Sequence, residues 1–376
     1  MRVAKPALWL AALIGLPAFT AWAQTGVAPV PGPVKIGIST PLSGPDGARG
    51  QALLQGLKAG LLNAEAAVEL LALDDAGQPS RTLANTKALL QQGVVALTGF
   101  HGAANIEAAL PVLEPAGVPM VGVSSSSEGL REPARRWLFN LRAGAADETA
   151  ALIYHLDTLG LTEVAVVAQS DGLGKATSEG VKHQLTRIGI RPVAMEGLTS
   201  QAGSAEVRAV MSRVCAAKPA AVVLAVSPQL ALAAVRAARG MGCRMVFEVL
   251  SETGSEMARN PDETGELVGL VVSQVLPSPR SPHALATQAQ RDLTRAGGAN
   301  APPLSYASLE GYLYGRVLTE ALRSCGKRST PECLISALEG RKLDVAGYAL
   351  QFGGGERRGS RFVELTMLDA QGRFRR

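Results

Sequence analysis

The chain has 376 residues, 47% of them hydrophobic but only 4% aromatic, with 37 Lys and Arg against 32 Asp and Glu. Interspersed charges and few aromatics exclude a nucleic-acid surface built from basic stripes and stacking platforms. The length exceeds one ordinary core and favours two lobes.

The opening MRVAKPALWLAALIGLPAFTAWAQ puts Arg2 and Lys5 before an apolar run from Ala7 to Phe19, then Ala21-Trp22-Ala23 as an A-x-A cleavage pattern. This reads as a secretory signal peptide over residues 1–23. A membrane anchor needs about 20 apolar residues, and this run is shorter and interrupted by Pro17. No cysteine precedes residue 215, so a lipid-anchored start is not expected. Loss of Arg2 and Lys5 leaves 35 basic against 32 acidic residues, a formal +3 on an exported chain.

Ala28 to Pro33 reads as a linker and Val34 to Thr40 as the first strand, followed by the loop PLSGPDGARG. Gly50 to Ala66 places Leu53, Leu54, Leu57, Leu61 and Ala64 on one helical face. Val68 to Leu73 is the second strand, ended by Asp74-Asp75. Adjacent residues in a strand face opposite ways, so these two carboxylates do not converge on a metal and read as structural. Pro79 and Ser80 start a helix that Gly93 stops.

The stretch VVALTGFHGAANIEAALPVLEPAGVPMVGVSSSSE, from Val94 onward, reads strand, Gly-rich loop, helix, strand, Ser-rich loop. Its two short apolar runs, Val94–Leu97 and Pro119–Val123, suit a parallel sheet buried on both faces. Ligands of such sheets bind beyond the carboxyl ends of the strands, where helix N-termini favour an anion. Gly99 to Ala104 and Ser124 to Ser127 form that expected floor, a solvated loop and helix cap being the alternative for the serines.

A second alternation follows: helix Asp147–Leu159, strand Val164–Ala168, helix Leu173–Ile188, strand Val193–Gly197, helix Ser204–Ala217, strand Ala220–Ala225, helix Pro228–Arg239 and strand Met245–Leu250. Such spacing predicts right-handed crossovers in a second parallel sheet. After Val268–Gln274, PSPRSP reads as a return between the lobes, and helices are expected over Ala284–Ala296, Ser308–Ser324 and Thr330–Glu339. The end reads as strands joined by Gly-rich turns. The expectation is an α/β chain with two mostly parallel sheets flanked by helices. Lobe 1 spans 34–143 plus 279–348 and lobe 2 spans 144–278 plus 349–376, with crossings near Leu141–Ala145, Val275–Pro279 and Tyr348–Phe352.

None of the spacings of Cys215, Cys243, Cys325 and Cys333 resembles a zinc pattern, and export makes disulfides possible. Cys325 and Cys333 bracket a turn, while Cys215 and Cys243 each follow a helix and precede a strand. That pairs 325 with 333 and 215 with 243, free buried thiols being the alternative. The four histidines are scattered, and only His101 lies in an expected binding loop. No G-x-S-x-G, P-loop or H-E-x-x-H occurs, so no catalytic residue, metal or cofactor is expected.

VKIGISTPLSGPDGARGQALLQGLKAG, LLALDDAGQPSRTLANTKALL, the Gly99 and Ser124 loops, VVSQVLPSP, and SYASLEGYLYGRVLTEALRSCG before GSRFVELTMLDAQGRF together resemble a family. It is that of the periplasmic substrate-binding proteins of the Leu/Ile/Val-binding type, partners of ATP-driven importers. The resemblance implies a two-lobed type I binding-protein fold with three hinge crossings, and a ligand carboxylate held by first-lobe loops. Residue by residue, these positions are Gly102, Ala103 and Ala104, then Ser124, Ser125 and Ser126. Ala103 stands where a Ser is expected, and Ser126 where a Thr would be. Glu252 matches the acidic residue of the family's amino-acid binders, a helix-start role being the alternative. Leu173 replaces an expected Tyr. Arg49 stands where some members carry an aromatic ring, or is an exposed charge.

The implied function is capture of a small carboxylate, an amino acid or related compound, and its delivery by a monomer to an ABC-transporter permease. A ligand sensor for a partner signalling protein is the alternative, and an exported enzyme is disfavoured by the missing motifs.

Overall fold

The computed structural model describes residues 1, 32–170, 172–257, 265–353 and 355–376, without the side chains of residues 172, 173 and 299. Apart from Met1, the signal-peptide reading lies outside the described residues.

The first alternation supplies β1 (Val34–Thr40), α1 (Gly47–Leu61), β2 (Val68–Asp74), α2 (Pro79–Gln91), β3 (Ala96–Thr98), β4 (Phe100–His101), α3 (Ala103–Ala116), β5 (Met120–Val121), β6 (Val123–Ser124) and β7 (Leu138–Phe139). Five of these strands form a parallel sheet in the order β2-β1-β3-β5-β7, its register running from Val34↔Val68 to Thr40↔Asp74. Asp75 is fully buried and accepts from Ser39 and Thr82, while Asp74 accepts from the Leu42 and Ser43 N–H groups. Asp74 therefore shapes the loop after β1, while Asp75 ties β1 to α2.

The second alternation gives α4 (Ala145–Thr158), β8 (Val164–Gln169), α5 (Gly172–Arg187), β9 (Ala194–Leu198), α6 (Ser204–Ala216), β10 (Ala221–Ala225), α7 (Pro228–Gly240), β11 (Val246–Val249), α8 (Ser251–Met257) and β12 (Val271–Gln274). The chain continues as α9 (Ala284–Gly297), α10 (Tyr306–Cys325), α11 (Pro331–Leu338), β13 (Lys342–Val345), β14 (Tyr348–Gln351), β15 (Glu364–Leu368) and β16 (Phe374–Arg375). The second sheet runs β16-β15-β12-β11-β10-β8-β9, parallel except for the last two strands of the chain.

Each sheet is covered on both faces, which is why its strands read as continuous apolar runs. One apolar cluster joins the first sheet to α1, α9, α10 and α11, and another joins it to α2 and α3. The second sheet is sealed by α6, α7 and α8 on one face and by α4 and α5 on the other. Helices α1 and α10 cross at backbone contact: a Cβ on Gly56 would sit 1.8 Å from the Ser308 carbonyl oxygen, and one on Gly311 2.0 Å from that of Leu53. Larger residues there would push α10, and with it Glu310, away from α1.

The chain passes between the sheets after β7, after β12 and between β14 and β15. The third passage differs from the sequence expectation at Tyr348–Phe352. Tyr348–Gln351 pairs antiparallel with Lys342–Val345, and Tyr348, Leu350 and Phe352 bury in the first-lobe core, so residues 349–352 stay with that lobe. The Phe352 ring stands edge-on to Phe139 at 5.2 Å, and the passage falls at residues 353–363. The Tyr348 hydroxyl lies 3.2 Å from the Leu141 carbonyl oxygen and 3.0 Å from that of Val275, tying the other two passages together.

Both pairs of cysteines are disulfide-bonded, Cys215 to Cys243 and Cys325 to Cys333.

Candidate functional site

The apolar run Pro119–Val123 forms two short strands rather than one, because the backbone turns at Gly122 with φ +77°. A Cβ there would meet the Tyr314 ring at 2.5 Å, so only glycine fits. Gly99 makes the same turn, with φ +70°. The bent ends β4 and β6 pair parallel with His101 opposite Ser124, extending a small ribbon beyond the sheet edge. This ribbon carries the serine loop toward the second lobe.

The loop is organised from behind by Arg131, which is 4% exposed. Its guanidinium donates to the carbonyl oxygens of Ser125 at 2.8 Å, Ser127 at 2.8 Å and Ala143 at 3.0 Å. Burial and the neighbouring Arg142 push its pKa down to about 10, which still leaves it charged at neutral pH. The Ser126 carbonyl accepts from the Ala145 N–H, the first of α4. With its carbonyls drawn inward, the loop turns the Ser126 N–H and hydroxyl outward, and both meet Glu252 of α8. The N–H donates to Oε1 at 2.8 Å and the hydroxyl to Oε2 at 3.2 Å. One residue of the first lobe thus receives both oxygens of a carboxylate from the second.

A buried seam of charges runs beside this contact. Glu310 of α10 accepts from Arg142 at 3.3 Å, the Tyr314 hydroxyl at 2.8 Å and Arg49 at 3.1 Å. Arg142, in the first passage, also donates to the Ser251 hydroxyl at 2.6 Å and lies 3.7 Å from Glu148 of α4. Arg49 pairs with Glu256 of α8 at 3.6 Å. Burial works against ionisation of Glu310, but Arg142 and Arg49 outweigh it and hold its carboxyl below the usual range. Glu148 goes the other way: full burial raises its pKa despite Arg142 and hydrogen bonds from Ser273 and Ser251.

Between the strand ends of the two lobes lies a cavity of about 370 Å³, lined by Gly102, Ala103, Ser126, Arg49 and Glu252 among others. The structure does not bring all the expected residues there. Ser124 is fully buried with its hydroxyl 3.4 Å from that of Tyr314, and the Ser125 hydroxyl accepts from the Ser127 N–H. Both serines serve the interior of the first lobe because the ribbon turns them inward. Ala104 is exposed and outside the lining. Leu173 lies in the first turn of α5, but its side chain is outside the described residues. Arg49 is held in ion pairs, with 11% of its side chain exposed.

Sequence reasoning missed Arg131, Arg142 and Glu310. The available signal was a lone charge inside an apolar run, as in FNLRAGA and LEGYLYG, where burial demands a partner.

A family model described as periplasmic binding protein matches residues 33–373. An amino acid binding protein of Pseudomonas aeruginosa is 25% identical over 177 residues, covering 44% of this chain and 47% of that protein. The chain thus spans about half the length of this curated relative. The crystal structure of an extracellular ligand-binding receptor from Verminephrobacter eiseniae superposes with a TM-score of 0.81 at 22% identity, covering 92% of this chain and 100% of that one. That of "a possible leucine/isoleucine/valine-binding protein" from Rhodopirellula baltica gives 0.78 at 26% identity, covering 92% and 96%.

Proposed function

Because the chain belongs to the periplasmic binding proteins, we propose that it captures a small carboxylate in its interlobe cleft and delivers it to an ABC importer. The supporting observation is the Glu252 carboxylate seated on the Ser126 N–H and hydroxyl. A loop that receives a carboxylate in this geometry from its own chain has the donors to receive one from a ligand. The ligand carboxylate takes the Ser126 donors, and Glu252 turns to the ligand or back into the field of Arg142 and Arg131, both of which feel its charge. Glu252 then meets the ammonium of an amino acid as a partner and an amine-free acid as a competitor. Closure follows because one ligand bridges both lobes, so that binding energy becomes a shape a permease recognises. The relatives the chain resembles are named as binding proteins and ligand-binding receptors.

Thermal melting against matched acids and primary amides tests the reading. At about 100 times its Kd a ligand adds roughly 2.7 kcal/mol to stability. Acids are expected to raise the melting temperature while their amides do not; equal shifts from both would reject a carboxylate site. The relative named an amino acid binding protein makes amino acids the first compounds to melt against.

A further inference from the structure

Arg131 holds the serine loop by carbonyl oxygens alone. Among the described residues its guanidinium donates to those of Ser125, Ser127, Arg142 and Ala143, and to no carboxylate. Its Nε–H is buried without a hydrogen-bond partner. Arg142, equally buried, is served differently, lying 3.3 Å from Glu310 and 3.7 Å from Glu148. A cation taken out of water is strongly unfavourable unless a nearby anion offsets it. The neighbouring cations Arg142 and Arg358 deepen that need, and the carboxylates that answer it, Glu128 and Glu252, do so without touching the guanidinium.

Glu252 is linked to Arg131 through one peptide unit. The carbonyl of Ser125 and the N–H of Ser126 belong to the same peptide bond. Arg131 donates to that carbonyl at 2.8 Å, and that N–H donates to Glu252 Oε1 at 2.8 Å. In a trans peptide the C=O and N–H point opposite ways, so the cation stands behind one dipole and the carboxylate in front of it. A charged donor on the oxygen draws electron density from the amide and strengthens its N–H, as hydrogen bonds in series do. The Ala143–Gly144 peptide repeats the pattern, its carbonyl oxygen 3.0 Å from Arg131 and its N–H 3.4 Å from Asp147 Oδ2. Carboxylates thus meet this cation through peptides rather than directly.

We infer that Arg131 is a specificity-determining residue of the cleft, its charge passed through the Ser125–Ser126 peptide so that Ser126 receives a carboxylate in preference to a neutral group of the same shape. The inference rests on Ser126 as the carboxylate site and adds the source of the positive charge. Arg49, the guanidinium in the cleft lining, is already engaged by Glu256 and Glu310.

Acetate and acetamide reproduce the ends of Glu and Gln side chains and differ in charge, not in shape. Titrating each into the Glu252→Gln protein, with the Ser126 amide followed by NMR, tests the inference. Acetate is expected to bind about tenfold more tightly than acetamide, and adding Arg131→Gln should remove that preference by weakening acetate alone. An arginine that only shapes the loop would weaken both compounds by the same factor; a preference that survives Arg131→Gln therefore overturns the inference and leaves the carboxylate site standing. Arg131→Lys keeps the charge and loses the fork, so the preference should persist in it even where both compounds bind more weakly. That variant decides the matter if Arg131→Gln does not fold, because equal binding of acetate and acetamide to the lysine variant overturns the inference as well. Equal binding of the two while Arg131 is intact rejects the carboxylate site itself.

Discussion

The two edges that meet at the cleft are built differently. On the first lobe the donor at Ser126 is backbone, fixed by the glycine turns at Gly99 and Gly122 and by Arg131 gripping the carbonyls beneath. On the second lobe the facing groups are Glu252 and Glu256, side chains on the seven-residue helix α8. A fixed receptor therefore opposes movable carboxylates. Under the proposed function the second edge is the one that yields to a ligand, and specificity is decided by what Glu252 does next.

Arg142 is the cation common to both edges, and the largest effect should come from removing it. Arg142→Met leaves the buried Glu310 of one lobe and Glu148 of the other without the cation they share and should cost about 3 to 5 kcal/mol, read from urea unfolding. A loss below about 1 kcal/mol would mean that the seam carries no energy between the lobes.

Each lobe also carries one disulfide, and their loops differ. By chain entropy, reducing Cys215–Cys243, which spans 28 residues, should cost about 3.5 kcal/mol. Reducing Cys325–Cys333, which spans 8, should cost about 2.5 kcal/mol. Serine pairs replacing each bridge, compared by denaturant midpoint, check the order; equal losses would point to strain or residual structure rather than loop length.

At the fixed edge, Ser126→Ala removes a hydroxyl and keeps the N–H. It should weaken carboxylate binding by about 1.5 to 3 kcal/mol, the worth of one hydrogen bond to a charged group. Calorimetry that finds no change would leave only the backbone as receptor.

The smallest effect lies away from the cleft, where His155 of α4 meets the buried Glu248 of β11 at 2.9 Å. The hydrogen bond to Glu248 raises the His155 pKa, and burial raises that of Glu248. A raised folded-state pKa contributes stability below the unfolded value, lost as pH rises through the folded one. For His155 that loss begins above its ordinary 6.5, and for Glu248 above 4.5, so both groups make melting fall on the alkaline side. His155→Gln should flatten that slope above pH 6.5; an unchanged slope would place its origin elsewhere.

The fold was legible because strands buried on both faces write themselves as apolar runs between helical periods, as in Ala221–Ala225 and Val164–Gln169. The site was legible only in outline. Ser126 and Glu252 stand at strand ends, where topology puts ligands. Which serine faces the cleft depends on the turn at Gly122, and that turn exists because the Tyr314 ring, 192 residues further along the chain, occupies the space of a Cβ. No local pattern reports such a contact. The third passage was misplaced for a related reason: Tyr348, Leu350 and Phe352 alternate as an edge strand does, and only their burial against Phe139 assigns them to the first lobe.

The central claim is that Glu252 occupies the place of the ligand carboxylate at Ser126. Calorimetric titration of Glu252→Gln with an amine-free acid such as 3-phenylpropanoate tests it most directly. A neutral amide competes for the Ser126 donors less well than a carboxylate, by about 1.4 kcal/mol, so the acid should bind about tenfold more tightly than to the parent protein. Unchanged or weaker binding would contradict the claim and leave Glu252 as a lobe-to-lobe contact with no part in recognition.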